Sequence, residues 1–372
     1  MKDKKVEDQV LLQLRPSFFG EQERALATSG DFVVSTFQYS TGVAALRISN
    51  SVGEIEVLPF QGQQIWRANF HGRALTMRSM FPEPVPTTDY LATYGGFLIH
   101  CGATAMGNPG PDDQHGIHGE LPNAHYRSAE LIIGSDELGS YLSVRGAYQY
   151  TVAFSQNYIA RPTLTLRAGS SRISVEMEIE NLKASPMEFM YLAHINFLPV
   201  DDGLILDTAP SGGNHVRLVH IQPDLLQSSP AYREMLEELE GDLEQHRHVR
   251  PGHLIDPEVV LAVDGKADKS GWASSMQIHP DGCADFVRHR PSEFDHCLRW
   301  IARSGDQAAL GLLLPATAEA DGFIAERAKG NVRVLEPHAT VRFAFECGAL
   351  DALAAAEMAK EINEVRSGEM RA

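Results

Sequence analysis

The sequence predicts an all-β protein, one large antiparallel β-sandwich with a few terminal or inserted helices. Two observations carry this. Short alternating apolar–polar runs recur along the chain, among them ALRISNS, EIEVLPF, QQIWRANF, YLSVRGAYQY, RISVEMEIEN, EFMYLAHINF and TVRFAFECG, and Gly, Pro, Asn or Asp punctuates most of them. Helical spacing is confined to a few segments, and no Pro- or Ser-rich linker and no internal repeat divides the chain. A chain of 372 residues is long enough for one large β domain.

Residues 1–40 are expected as an N-terminal arm, with a helix around Val6 to Ala27 as one candidate. The sandwich is expected over 41–350. Its strand logic is clearest in RISVEMEIEN: Ile173, Val175, Met177 and Ile179 share one face, while Arg172, Ser174, Glu176, Glu178 and Glu180 share the other. An acidic helical insertion is expected over about 228–248. There AYREMLEELEGDLEQ puts Met235, Leu236, Leu239 and Leu243 at near-helical spacing. Residues 351–372 read as a C-terminal helix with Asp351 at the N-cap.

Charge narrows the partners. The 32 Lys+Arg against 49 Asp+Glu leave a net −17, which opposes nucleic acid or an anionic membrane as the main partner and leaves a small neutral ligand open. No apolar run is long enough to span a membrane, and MKDKKVEDQVLLQL lacks the apolar core of a signal peptide. Cys101, Cys283, Cys297 and Cys347 are widely spaced and form no CxxC, as expected of reduced thiols in a cytoplasmic protein.

The densest polar constellation runs from Leu91 to Tyr126. It holds His100, His115, His118, Glu120 and His125, together with Asp112, Asp113 and seven glycines from Gly95 to Gly119. Glycines at that density mark tight turns or close backbone approach to a ligand, although a surface loop with scattered histidines is the plain alternative. A second segment, ENLKASPMEFMYLAHINF, ends one strand at Asn181, turns at Pro186 and places His194 on the next strand, on the same face as Met190 and Leu192. A lone strand histidine is more often a satisfied core residue than a catalyst. A third, from Ala308 to Pro337, runs an apolar strand into Pro315 and then a loop with Glu319, Asp321, Glu326, Arg327 and Lys329.

Taken in order, these segments resemble the aldose 1-epimerase (galactose mutarotase-like) superfamily, in a less characterised bacterial branch that GGFLIHCG resembles. HGIHGELPNA resembles the family segment that follows a Gly-rich region and presents a sugar-binding histidine, here His118. Asn181, Pro186, His194 and Phe197 repeat its order of strand end, turn, histidine and aromatic. The likeness extends from about Val43 to Leu350. It implies an antiparallel β-supersandwich with a sugar in a groove on one sheet, and acid–base ring opening and reclosure with no metal or other cofactor. Carried over, His194 is the expected general acid, and His118, Arg73, Gln64, His100 and Asn196 are the expected substrate contacts. Gln64, Arg67, Arg73 and Arg78 lie on one hairpin able to hold sugar hydroxyls. The family's catalytic Glu falls where this chain reads GLLLPAT, with Leu314 before Pro315. Either Glu319 supplies the base from a shifted position or the chemistry differs.

The chemistry requires one proton removed at O1 and one delivered at the ring oxygen, work suited to a histidine and a carboxylate. Two other readings remain. His100, His115, His118 and Glu120 offer a ligand set for a metal-dependent, cupin-like sugar isomerase, which metal analysis would reveal. Leu314 in place of Glu would suit a non-catalytic carbohydrate-binding module. The acidic insertion, Glu234 to Glu244, is a candidate homodimer contact.

Overall fold

The computed structural model describes residues 9–210, 215–219 and 230–368. Strands take 47% of the residues and helices 13%, and among the described residues the paired strands run antiparallel, as the alternating runs predict. Two sheets stack. One has nine strands in the order Val10–Gln13, Ser128–Asp136, Gly139–Val152, Gln156–Arg167, Arg172–Asn181, Thr340–Leu350, Ala284–His289, Ala273–Ile278 and Leu204–Asp207. The other has thirteen. Its main path runs Val216–Leu218, Ile255–Val263, His296–Arg303, Ala308–Ala316, Met187–Ile195, Leu98–Ala103, Ile65–Phe70, Gly53–Val57, Ala44–Asn50, Phe32–Gln38 and Arg24–Ser29.

The core lies between the sheets. Ile173, Val175, Met177 and Ile179 are buried, and the outward Glu178 of the same strand pairs with Arg161 and Arg342. Tyr191 of the larger sheet meets Phe343 of the smaller at 5.2 Å between ring centroids, which fixes the direction of the strand Met187–Ile195. Tyr191 and Ala193 face the core, so by the two-residue period Leu192 and His194 face away from it. Arg299 crosses the core as a charge. It is fully buried and donates to Asp207, Ser275 and the Leu312 carbonyl. Arg247 completes the group by a 2.7 Å bond to Asp207.

The expected N-terminal arm is not separate. Val10–Gln13 pairs with Ser128–Asp136, and the hairpin Arg24–Ser29/Phe32–Gln38 forms the edge of the large sheet. The candidate helix from Val6 is replaced, in its described part, by strands and a short 3-10 turn at Pro16–Phe18; Val6 itself lies outside the described residues. β-Branched residues and a Ser29–Asp31 turn outweigh the local helix formers there.

Helix α1 (Pro230–Gly241) stands in the expected insertion, followed by a 3-10 turn at Leu243–Arg247; residues 228 and 229 lie outside the described residues. Its buried residues are Tyr232, Leu236 and Leu239, and its acids face out. Helix α2 (Phe323–Lys329) is short and was not expected. Helix α3 (Ala352–Ser367) begins, as expected, at Asp351, whose side chain accepts from the Ala354 N–H. It seats Met358 and Ile362 on Met276 and Phe286 at one end of the smaller sheet. Each such apolar side chain contributes roughly 1.5–3 kcal/mol.

Candidate functional site: a His–His–Glu cavity

On the outer face of the larger sheet lies a cavity of about 320 Å³. That is at the small end of the roughly 300–1,000 Å³ usual for small-molecule sites. Four adjacent strands floor it: Met187–Ile195 gives Leu192 and His194, Ala308–Ala316 gives Leu314, His296–Arg303 gives Leu298 and Trp300, and Ile255–Val263 gives Glu258 and Val260. The Gly-rich segment walls it with Tyr90, Tyr94, Asn108, Ile117 and His118.

His194 is buried, and its tautomer can be read from its neighbours. Asn196 Nδ2 donates to the Gly96 carbonyl at 2.9 Å, which turns Asn196 Oδ1 toward His194. That oxygen can only accept, so the 2.6 Å contact with His194 Nδ1 places the proton on Nδ1. Nε2 is the ring's remaining nitrogen, a lone pair on the cavity side. Burial pushes the His194 pKa down to about 4 and outweighs the Asn196 bond, so the ring is neutral near pH 7.

His118 meets His194 edge to face at 5.4 Å between centroids. Burial, and then the His194 charge, hold its pKa well below the ordinary value, so it too is neutral. Its Nδ1 is buried without a hydrogen-bond partner. The backbone positions it: His118 sits at φ +60°, donates its N–H to Gly107 and accepts from Gly102 N–H. Gly119 follows at φ +77°, where a Cβ would lie 2.2 Å from the Ala105 carbonyl oxygen, so only glycine fits. Trp300 stands between His194, 5.2 Å away, and Tyr94, 5.9 Å away, and donates its indole N–H to Glu258 Oε2 at 2.6 Å. Glu258 is held from behind by α1, whose Tyr232 hydroxyl donates to the Glu258 carbonyl. Among the described residues, no Lys or Arg lines the cavity.

The other expected residues are dispersed. Asn196 supports His194 from behind. His100 lies opposite Ala193, on the core side of the sheet, where its Nδ1 meets the Tyr191 hydroxyl at 2.8 Å. Gln64 donates to Pro122 O and Asn123 Oδ1 and ties down the Gly-rich loop. Arg73 faces His279 and Asp285 at the junction of the two sheets. These three do not line the cavity. Glu319 does not line it either, although its neighbour Ala320 does. Its carboxylate accepts from Lys329 at 2.8 Å and pairs with Arg217.

The ligand set suggested for a metal does not converge. His100 faces the core, His115 and Asp113 accept from backbone N–H groups of α2, and Glu120 is taken up by Thr104, the Ala103 N–H and the Tyr158 hydroxyl. Three other carboxylates do come together, Glu319, Asp321 and Glu326, but the Lys329 ammonium bonds all three. The residues missed from the sequence are Glu258, Trp300, Tyr90 and Tyr94. For Glu258 a signal existed: in IDPEVVLAV, Asp256 and Glu258 alternate with Val260 along one face of an otherwise apolar strand.

A solved protein of Klebsiella pneumoniae, provisionally named an aldose 1-epimerase, superposes over 97% of this chain and 96% of its own, with a TM-score of 0.81 at 15% identity. The fold is galactose mutarotase-like. A galactose mutarotase-like protein of Clostridium acetobutylicum matches at TM-score 0.59 and 12% identity, over 86% of this chain and 99% of that one. Galactose 1-epimerase of Lactobacillus acidophilus matches at 0.50 and 11%, over 88% and 98%. In sequence, the profile of a domain of unknown function, DUF4432, matches residues 40–203. No curated protein sequence matches the chain. No described helix of the chain is long and apolar enough to cross a membrane.

Proposed function

We propose that the protein binds the hemiacetal end of a small aldose in this cavity and interconverts its anomers. The observation that carries this reading is the pairing of a tautomer-locked His194, its Nε2 open to the cavity, with the unpartnered Nδ1 of His118 one ring away. A cyclic aldose presents O1–H and the ring oxygen on the same carbon. His194 Nε2 takes the O1 proton as the C1–O5 bond breaks. The imidazolium so formed returns that proton to O5, giving the open-chain aldehyde and a neutral His194. Rotation about C1–C2 and the reverse sequence close the ring on the other face. His118 and Glu258 hold the sugar, the first as a neutral imidazole and the second as an acceptor for a hydroxyl. Neutral imidazole is a competent partner where an imidazolium would be expensive to bury.

This departs from the expected pairing of His194 as acid with Glu319 as base. An imidazolium at rest is opposed by the low pKa, and the Glu319 carboxylate is already engaged by Lys329 and Arg217. The test is saturation-transfer NMR of anomer exchange on a panel of aldoses, with wild type beside His194→Asn, Glu258→Gln and Glu319→Gln. We expect His194→Asn to lower the rate constant by roughly 10²–10⁴. Unchanged exchange in that variant would overturn the assignment. Sugar binding with no acceleration in wild type would make the chain a non-catalytic carbohydrate-binding module.

A further inference from the structure

We infer that the sugar carries a protonated amine, so that the site takes a cationic amino-deoxy aldose in preference to a neutral or anionic one. The inference rests on reading this cavity as the sugar site. What points to it is a carboxylate with too few partners. Glu258 Oε2 accepts from the Trp300 indole at 2.6 Å, and Oε1 has no partner among the described residues. Acids elsewhere in the interior are compensated. Asp207 lies between Arg247 and Arg299, and Glu326 bonds Lys329. Glu120, which has no cation, takes the N–H groups of Ala103 and Thr104 and the hydroxyls of Thr104 and Tyr158. Among the described residues Glu258 makes no ion pair, and no Lys or Arg lines the cavity around it. A ligand that fills the cavity strips water from this half-buried carboxylate. A neutral sugar would leave its charge uncompensated, whereas an ammonium brings the opposite charge and N–H donors together.

The walls suit a cation as well. Five rings that line the cavity follow one another in a closed circuit. His118 meets Tyr90 at 4.9 Å between centroids, Tyr90 meets Tyr94 at 5.1 Å, and Tyr94 meets Trp300 at 5.9 Å. Trp300 meets His194 at 5.2 Å, which returns to His118 at 5.4 Å. Tyrosine and tryptophan faces attract an ammonium, most strongly where water is excluded. Neither histidine opposes it, because burial keeps both rings neutral near pH 7. The field of a chain with net charge −17 also draws a cation in. The side-chain amides of Asn108 and Gln307 line the same cavity without partners among the described residues, and remain for the sugar hydroxyls. Glu258 then accepts from the ammonium rather than from a hydroxyl, while His194 acts at O1 and the ring oxygen.

The experiment compares D-glucosamine, D-galactosamine, D-mannosamine and 3-amino-3-deoxy-D-glucose with their parent sugars, their N-acetyl derivatives and D-glucuronate. Titration calorimetry reads binding, and saturation-transfer NMR reads anomer exchange. At least one amino sugar should bind about ten- to a hundredfold tighter than its parent, the range of a hydrogen bond to a charged group assisted by an ammonium–ring contact. Its N-acetyl derivative should bind no better than the parent, and glucuronate should not bind. The advantage should vanish between about pH 6 and about pH 9, as such an amine loses its proton in the range of an α-amino group. His118 and His194 lie below that window and Tyr90 and Tyr94 above it, so the change reports the ligand. Glu258→Gln, its fold checked by a melting curve, should remove most of the advantage although it moves the net charge only from −17 to −16. Parent or N-acetyl sugars that bind as well as the amines, or an advantage that survives at high pH or in Glu258→Gln, would overturn the inference. Neutral aldoses that exchange faster while no amine gains affinity would do the same and leave anomer exchange standing. Amino sugars that bind tighter but exchange no faster would remove the catalytic reading and support this one. Failure of every sugar to bind would remove both.

Discussion

At the scale of single residues, the central feature is the proton on His194 Nδ1, placed by an amide that has no choice of orientation. If His194 begins the reaction neutral, kcat/KM should be flat at neutral pH and fall as pH drops through about 4, where the ring gains its second proton. A general acid would give the opposite limb, falling as pH rises above that value. Asn196→Asp would set a carboxylate against Nδ1 and raise the His194 pKa by roughly 1–3 units. The acid limb should move up with it, which a pH series of exchange rates measures directly. The sequence made His118 and His194 legible because both sit beside turn-forming residues that mark loop and strand ends. It hid Glu258, Trp300 and Tyr94, which acquire meaning only when strands distant in sequence lie side by side. Arg73, Gln64 and His100 were chosen for residue type, and residue type does not reveal which face of a sheet a side chain takes. The direction of Tyr191, set by Phe343, decides that for His100.

Among elements, the segment from Glu319 to Asn331 behaves as a brace for one cavity wall. Glu326 is fully buried at the centre of it. Its carboxylate accepts from the Glu319 N–H at 3.0 Å, from Asn331 Nδ2 at 2.7 Å and from Lys329 Nζ at 2.9 Å. Glu326→Ala should cost about 3 kcal/mol, because it leaves the buried Glu319 N–H and the Asn331 amide without an acceptor and takes one of the three carboxylates from Lys329. A lowered Tm with a raised KM would show that the brace shapes the wall through Ala320. Glu319→Gln leaves Lys329 two other carboxylates and should cost about 1–2 kcal/mol, with exchange rates within a fewfold of wild type. A loss comparable to that of His194→Asn would restore Glu319 as a proton-transfer group. The strands of the sandwich were readable by their two-residue alternation, as burial of Ile173, Val175, Met177 and Ile179 shows. The hairpin Arg24–Ser29/Phe32–Gln38 was missed because its alternation is short and its partner in the sheet lies beyond a second turn.

Across the whole molecule, the sheets are joined by a buried charge cluster with an acid-sensitive signature. Burial alone would raise the pKa of Asp207, but Arg299 and Arg247 overcome it and hold the carboxyl at about 2, below its ordinary 3.8. A depressed folded pKa gives stability that is present above the unfolded value and lost as pH falls toward the folded one. The contribution is on the order of 2 kcal/mol, removed between about pH 4 and 2. Melting curves from pH 5 to 2.5 should show that component in wild type and lack it in Asp207→Asn, which starts from a lower Tm.

The order of strands was the least legible property of all, since alternation says that a strand exists but not what lies beside it. In the nine-stranded sheet, Thr340–Leu350 is inserted between Arg172–Asn181 and Ala284–His289, pairing with the first over residues 340–348 and with the second over residues 345–350. During synthesis, therefore, neither half of that sheet can join the other until residue 350 has left the ribosome. A nascent chain paused before residue 340 carries two open sheet edges and the apolar faces of Met177 and Phe286. Such an intermediate is a natural client for chaperones, and on stalled ribosomes it should be cut by protease at sites that the finished protein conceals.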